Sequence, residues 1–119
     1  MYPTFNDPSL PEWLDSHPES DFDQLSFGVV QMNHDGVITA YNKPLSDLAG
    51  VSKENAMGKH FFTQIAPCTN NFMVAEKYKQ DLLDEVMPYM FTYITAPTPV
   101  ELRLIKRNNG RQYLLAKNA

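Results

Sequence analysis

The stretch LSFGVVQMNHDGVITAYN, residues 25–42, decides the fold. Residues 27–32 alternate between two faces with the two-residue period of a β-strand. Asp35-Gly36 separates this run from a second run rich in β-branched residues. Asp-Gly in that position is a strong hairpin signal, because the tight turn needs a positive φ. We therefore predict strands at residues 26–32 and 37–41.

Helical spacing replaces this alternation directly downstream. Leu45, Leu48 and Ala49 recur at helical intervals, Gly50 is a typical helix stop, and Ser52 can cap the segment KENAM. The sequence predicts two short helices here, the second ending at Gly58. The segment NFMVAEKYKQDLLDEVM, residues 71–87, predicts the longest helix, because its apolar residues fall near one helical face and its charged residues face outward. Pro88 would end that helix.

Three strands are predicted to follow: MFTYIT around 89–95, VELRLIKR at 100–107 and RQYLLAK at 111–117. Prolines separate the first two and Asn108-Asn109-Gly110 separates the last two, as is typical of turns. Residues 100–105 alternate between an apolar and a more polar face, which predicts an antiparallel sheet with one solvated side. Two strands, a block of helices and three strands indicate an α+β fold, a five-stranded antiparallel sheet with helices on one face. The cavity between sheet and helices is the natural ligand site.

The first 25 residues form a distinct segment with six acids, four prolines and neither Lys nor Arg. We predict an acidic N-terminal leader at 1–25, in which Trp13 and Leu14 dock on the core, and a folded domain at 26–119.

Composition narrows the classes of function. A net charge of −4 without a basic patch argues against a nucleic-acid partner. We expect a soluble, cytoplasmic protein with no membrane partner, because no apolar run approaches the length of a bilayer span. A single cysteine cannot form an internal disulfide and fits a reducing compartment. The histidines and the cysteine lack recognised metal-ligand spacing, so no metal site is expected.

Cys68 is that single cysteine, and it lies in KHFFTQIAPCTN, residues 59–70. The residues alone leave four roles open for it: inert packing, a nucleophile, a redox sensor, or an attachment point for a group that the sequence does not encode. His60 could act as a base for the thiol, but no third orienting group or oxyanion hole is apparent. We therefore do not expect an enzyme, and we expect His17, His34 and His60 to be exposed.

The order of elements resembles the PAS domain, a sensory fold. LSFGVVQMNHDGVITAYN, GKHFFTQIAPCTN and MFTYITAPTPVELRLIKR resemble parts of the photoactive yellow protein family of bacterial blue-light sensors, over roughly residues 25–117. The most specific match joins Gly58-Lys59, Phe61-Phe62 and Ala66-Pro67-Cys68-Thr69. The resemblance implies a PAS sensory domain at 26–119, with p-coumaric acid (4-hydroxycinnamic acid) bound to Cys68 as a thioester.

The resemblance also implies a pocket, which departs from the family pattern. Tyr41 corresponds to a tyrosine that donates a hydrogen bond to the phenol oxygen of the chromophore. Leu45 replaces a glutamic acid that does the same, Ala49 replaces a threonine that supports the tyrosine, and Val51 replaces a gateway arginine. A lost donor with unchanged desolvation should raise the pKa of the phenol, and hence give a blue-shifted or pH-dependent absorbance band near neutrality.

The remaining pocket positions match the family better, although the chain is several residues shorter than the best-known members between Cys68 and Phe91. Phe62 is a further apolar wall, and Thr95 stands at a methionine of the family. The implied chromophore-binding residues are Cys68, Tyr41, Leu45, Ala49, Val51, Phe61, Ala66, Pro67, Thr69, Phe91 and Tyr93.

Two functions stay open at this point. The first is a blue-light photoreceptor in which isomerisation loosens the N-terminal leader. The alternative is a non-photoactive PAS ligand-binding or protein-interaction module that retains the cysteine loop but not the phenolate site. Either would need a downstream signalling protein that the sequence does not identify, and homodimerisation stays open.

Overall fold

The computed structural model of the chain describes residues 2–92 and 97–119. A five-stranded sheet of order β2-β1-β5-β4-β3, antiparallel between all neighbours, forms its centre. The predicted sheet with helices is thus confirmed. In the described residues, no helix combines the length and the apolar composition needed to cross a membrane. The strands are β1 (Gly28–Met32), β2 (Ile38–Tyr41), β3 (Leu83–Phe91), β4 (Thr98–Lys106) and β5 (Gln112–Asn118).

The helical elements are short. The α-helices are α1 (Leu10–Ser16), α2 (Lys43–Ala49) and α3 (Lys53–Ala56). Residues Phe61–Ile65 form a π-helical turn. Turns of 3-10 helix lie at Glu19–Gln24, Pro67–Thr69 and Ala75–Lys79.

The predicted hairpin between β1 and β2 is confirmed. Gly36 has a φ of +86°, and its amide donates to the carbonyl of Asn33 at 3.0 Å. The side-chain oxygen of Asn33 accepts from the amides of Asp35 at 2.9 Å and Val37 at 3.1 Å. A Cβ atom at Gly36 would lie 2.7 Å from the His60 ring, so both the backbone angle and the space require glycine.

The two predicted short helices are also confirmed, and side-chain caps begin both of them. The side chain of Asn42 accepts from the amide of Leu45 at 3.1 Å to begin α2, which ends at Gly50 with a φ of +74°. Ser52 accepts from the amide of Asn55 at 3.3 Å to begin α3. Capping satisfies amides that the first helical turn leaves without partners.

The predicted long helix at 71–87 is wrong. Its middle forms one 3-10 turn, and the chain is already extended from Leu83, so the strand predicted around 89–95 begins six residues earlier. Three of the supposed apolar-face residues, Phe72, Leu82 and Val86, are 78%, 64% and 46% exposed. Pro88 lies inside β3, which is an edge strand and so tolerates a residue without an amide donor.

Apolar side chains cover both faces of the sheet, so the prediction of one solvated side is also wrong. The inner cluster lies on the face covered by α2, α3 and the π-helical turn. Its buried members are Val30, Met32, Ile38, Tyr41, Leu45, Ala49, Ala56, Phe61, Phe62, Ile65, Ala66, Val74, Tyr78, Leu83, Phe91, Val100, Leu102, Leu104, Leu114 and Ala116. The outer cluster joins the opposite face to the N-terminal segment, residues 2–27. The strands supply alternate residues to the two clusters: Val30, Leu102 and Leu104 to the inner, Val29 and Ile105 to the outer. The outer cluster comprises Phe5, Leu10, Leu14, Phe22, Leu25, Phe27, Val29, Ala40, Ile105, Tyr113 and Leu115.

Polar contacts also fix the N-terminal segment to the sheet. Arg103 is only 4% exposed; its Nη1 donates to the carbonyls of Phe5 at 2.9 Å and Asp7 at 2.8 Å. Its Nε and Nη2 bond the carboxylate of Asp84 at 2.8 and 2.9 Å. Bidentate pairing of this kind offsets the cost of burying the guanidinium. A division of the chain between residues 25 and 26 stays a prediction.

Further along the segment, Asp15 makes a second set of polar contacts. Its carboxylate accepts from the hydroxyl of Tyr113 at 2.8 Å and from Nε of Arg107 at 2.7 Å. The acidic residues of this segment are therefore not all solvated, since Asp15 pairs with Tyr113 on β5 and with Arg107 directly after β4.

Candidate functional site

Cys68 lies at the rim of the inner cluster, half-buried in the 3-10 turn Pro67–Thr69. The amide of Thr69 donates to the carbonyl of Ala66 at 2.9 Å, and its hydroxyl donates to the same carbonyl at 2.6 Å. Ala66 and Thr69 are fully buried, whereas Pro67 is exposed. The turn thus holds Cys68 at the boundary between solvent and core, packed against the inner cluster but not fully buried.

The main-chain carbonyl of Cys68 accepts hydrogen bonds from two side chains that the sequence did not single out. One is the hydroxyl of Tyr89 on β3, and the other is Nδ2 of Asn71, at 3.1 Å. Asn71 Nδ2 also lies 2.7 Å from the Tyr89 hydroxyl oxygen, to which it donates. Tyr89 lies within the strand predicted around 89–95, but its inward position follows from pairing with β4, whereas Asn71 fell in the segment wrongly assigned to a helix.

Tyr41 is 2% exposed at the end of β2 and belongs to the inner cluster. Its hydroxyl donates to the carbonyl oxygen of Val51 at 3.0 Å. Burial raises the pKa of Tyr41 to about 12, so the hydroxyl is a neutral donor at physiological pH. Val51 therefore contributes to the site through its main chain, while its half-buried side chain packs against the cluster.

Leu45 and Ala49 lie on α2, and each is 1% exposed in the same cluster as Tyr41. Neither side chain carries a donor or an acceptor. A Cβ atom at Gly28 would lie 2.9 Å from Leu45, so glycine in β1 is what lets α2 approach the sheet this closely. The Tyr41 end of the cluster is therefore apolar and tightly packed apart from one hydroxyl.

Several aromatic side chains belong to the inner cluster against which Cys68 packs. Phe61 and Phe62 meet edge to face, with ring centroids 5.2 Å apart. Phe62 also contacts Tyr78 at 5.5 Å, and Phe91 is fully buried in the same cluster. Tyr78 is therefore a further site neighbour that was not among the predicted pocket residues. The predicted pocket residue Tyr93, like Thr95, lies outside the described residues.

The histidines differ from the sequence expectation. His34 is exposed, as predicted, but His17 is half-buried and stacks on Trp13 with ring centroids 4.1 Å apart. His60 is also half-buried; its Nδ1 lies 3.0 Å from the Thr63 hydroxyl. Across residues 2–92 and 97–119, no group of three or more His, Cys, Asp or Glu side chains could hold a metal ion.

A surface groove of about 240 Å³ opens between the β1–β2 turn and residues 70–79. Phe62 and Tyr78 form its apolar wall, and Glu76 and Lys79 are among its charged lining residues. Asn70 joins it to the Cys68 turn. Of the implied pocket walls, Phe62 therefore reaches both the core and this groove.

The inner cluster fits an aromatic acyl group better at one end than at the other. At the Cys68 end, the half-buried thiol and the adjacent aromatic rings suit a thioester with a planar ring. At the Tyr41 end, the hydroxyl donates to the Val51 carbonyl, and the cluster members Leu45 and Ala49 are apolar, which suits a neutral phenol better than a phenolate.

Comparison with known proteins gives a consistent set of similarities. A family model described as PAS fold matches residues 16–112, which include Tyr41 and Cys68. The photoactive yellow protein of Rhodothalassium salexigens is 31% identical over 99 residues, covering 80% of this chain and 79% of that protein. That of Halochromatium salexigens is 27% identical over 106 residues, covering 86% and 85%. A crystal structure of the photoactive yellow protein domain from the sensor histidine kinase Ppr of Rhodospirillum centenum has a TM-score of 0.81 at 28% identity, covering 90% of this chain and 98% of that one.

Proposed function

The chain belongs to the photoactive yellow protein family of PAS domains, and from this premise we propose that it is a blue-light sensor carrying p-coumaric acid as a thioester on Cys68. The observation that carries the proposal is the position of Cys68, half-buried at the rim of the cluster that contains Tyr41. A thiol there can meet an acyl donor from solvent and hold the acyl group against the core.

Attachment needs chemistry that Cys68 can supply. Its thiolate attacks the acyl carbon of an activated 4-hydroxycinnamoyl donor, such as a thioester or an anhydride. The new C–S bond forms as the bond to the leaving group breaks, the leaving group departs with that electron pair, and the thiol proton passes to solvent. Pro67 fixes the backbone angle directly before the cysteine, which keeps the turn in one conformation.

Tyr41, Leu45 and Ala49 would surround the phenol end. p-Coumarate supplies the absorption of visible or near-ultraviolet light and isomerisation about its double bond. Tyr41 provides one hydroxyl to hold the phenol oxygen, provided that the hydroxyl turns away from the Val51 carbonyl. Leu45 and Ala49 provide desolvation without a donor, so they disfavour the ionised phenol and raise its pKa. We therefore expect a blue-shifted band, or one that titrates near neutral pH.

The N-terminal segment is the element whose release would transmit the signal. It packs on the outer face of the sheet, opposite the inner cluster, and is held by hydrogen bonds from Arg103 to its main chain and from Arg107 and Tyr113 to its Asp15. Leu45 cannot ionise, so this chain must loosen the segment without a charge appearing at that position. The similar domain from Rhodospirillum centenum comes from a sensor histidine kinase. We propose that this chain, in the cytoplasm, likewise signals through a protein partner.

One observation favours the alternative, a PAS ligand-binding or protein-interaction module without photochemistry. Tyr41, Leu45 and Ala49 are 1–2% exposed and packed together, and the Tyr41 hydroxyl already has a partner in Val51. A chromophore would have to displace these contacts. An apolar cluster of this kind suits an apolar ligand, or none, as well as a phenol.

Intact mass after incubation with 4-hydroxycinnamic anhydride decides between the two, with Cys68→Ser as the matched control. The photoreceptor predicts one 4-hydroxycinnamoyl group on the wild-type chain, none on Cys68→Ser, and an absorbance change under illumination that recovers in the dark. No adduct on the wild type, or equal labelling of both chains, would support the alternative. An adduct that shows no light-induced change would refute photochemistry while keeping the attachment.

A further inference from the structure

The Cys68 carbonyl, the Tyr89 hydroxyl and the Asn71 side-chain amide form a closed hydrogen-bond network. We call this network the Cys68 clamp. Both side chains donate to the carbonyl, and Asn71 also donates to Tyr89. The ring of Tyr89 packs on the inner cluster, and its residue belongs to β3. The clamp therefore ties the cysteine turn to the edge of the sheet.

The direction of each proton in the clamp is determined. The oxygen of Asn71 accepts from the amides of Met73 at 2.9 Å and Val74 at 3.1 Å, which identifies the other side-chain atom as the donating nitrogen. Because Tyr89 accepts from that nitrogen, its own proton is committed to the Cys68 carbonyl. The donors of the clamp are thus all used, and turning the Cys68 peptide would break two hydrogen bonds at once.

We propose that Tyr89 and Asn71 are positioning residues, which fix the Cys68 main chain and thereby set the direction and accessibility of its thiol for acyl attachment. This inference rests on the proposed function for the identity of the acyl group but not for the clamp itself. Neither residue touches the sulfur through the clamp, so they act through the backbone of Cys68. Releasing the clamp should leave the thiol more exposed and less directed.

The rate of Cys68 alkylation by iodoacetamide tests the clamp without any chromophore. Tyr89→Phe removes the hydroxyl and keeps the ring. Asn71→Asp keeps the oxygen that accepts from the amides of Met73 and Val74 and removes both donors. Each variant should react about fivefold faster than the wild type, the change that corresponds to one net hydrogen bond of about 1 kcal/mol.

Tyr113→Phe is the matched control, because it also loses a hydroxyl donor, but on the outer face of the sheet. A merely structural effect would raise the logarithm of the alkylation rate of all three variants in proportion to their loss of unfolding free energy. The clamp predicts a rate equal to that of the wild type for Tyr113→Phe. Unchanged rates in both folded clamp variants, or a rate in Tyr113→Phe as high as theirs, would overturn the inference.

A second measurement separates this inference from the proposed function. Each protein is also treated with 4-hydroxycinnamic anhydride, and the yield of adduct is read by mass. If the wild type takes no acyl group while Tyr89→Phe still alkylates faster, the proposed function fails and the clamp stands. If the wild type is acylated and the clamp variants alkylate at its rate, the clamp is refuted and the proposed function stands.

Discussion

Replacing Leu45 by glutamine should lower the pKa of a phenol bound in the cluster. Leu45 is 1% exposed, so a glutamine amide there would be shielded from water. A hydrogen bond from that amide to a phenolate contributes about 1.5–3 kcal/mol, as bonds to charged groups do. One pKa unit corresponds to about 1.36 kcal/mol, so the phenol pKa should fall by about 1–2 units. In the chromophore-free protein the same amide has no phenol oxygen to bond. Its burial should then cost about 1–3 kcal/mol of unfolding free energy.

Absorbance titration of the reconstituted proteins measures this shift. Leu45→Met is the size-matched control, since it keeps an apolar side chain of similar volume without a donor. The glutamine variant should show the red-shifted band at lower pH than both the wild type and the methionine variant. Equal titration midpoints for glutamine and methionine would refute the reasoning that a missing donor sets the phenol pKa. Urea unfolding of the chromophore-free chains measures the predicted loss of unfolding free energy.

Three further predictions concern the scaffold. Arg103→Met should cost about 2–4 kcal/mol of unfolding free energy and speed amide exchange in residues 2–9. The control Lys53→Met loses an exposed ion pair and should cost less than about 1 kcal/mol. Equal costs would contradict the role given to the buried guanidinium. Gly36→Ala should destabilise the protein more than Gly110→Ala. Both glycines have a positive φ, but only at Gly36 would the new Cβ meet a histidine ring, at 2.7 Å. Equal losses of unfolding free energy in denaturant melts would contradict the steric argument. Burial raises the pKa of Tyr41 to about 12, above its unfolded value. The contribution of Tyr41 to stability is therefore complete at neutral pH and is lost as the pH rises from about 10 towards 12. In urea unfolding, Tyr41→Phe should lose less unfolding free energy than the wild type over that pH range.

Local signals explain what the sequence could predict of the fold. Asp35-Gly36 forces its turn through one backbone angle, and Gly50 and Ser52 set helix ends through bonds that span three or four residues. Each of these signals acts within a single turn of chain. The hairpin and the two short helices were therefore predicted correctly.

The long helix was predicted wrongly because an edge strand does not show a clean alternation. β3 places Val86 and Met90 outward, where they are 46% and 45% exposed, so apolar residues occur at both strand and helix intervals. Pairing with β4 decides between the two conformations, and that pairing is a tertiary contact. Pro88 is as compatible with an edge strand as with the end of a helix.

The covered outer face shows the same limit at longer range. The N-terminal segment carries six acids and neither Lys nor Arg, yet Phe5, Leu10 and Phe22 are each at most 4% exposed. Their cluster partners Ile105 and Tyr113 lie 83 to 108 positions away in the chain. Similarly, the family resemblance pointed to Cys68 and Tyr41 as site residues, whereas Tyr89 and Asn71 emerge only from the geometry of the Cys68 turn and from the position of β3, whose start the sequence misplaced.

Strand β3 gives the proposed sensor a physical connection between its two ends. Tyr89 projects inward and bonds the carbonyl of Cys68, whereas Asp84, on the opposite face of the same strand, pairs with Arg103. Arg103 in turn holds the main chain of the N-terminal segment. Because β3 has a single neighbouring strand, it can shift against the sheet by breaking one ladder of hydrogen bonds, whereas a central strand would have to break two. A displacement of the cysteine turn would therefore reach the N-terminal contacts through one edge strand, and this route requires no buried carboxylate at Leu45.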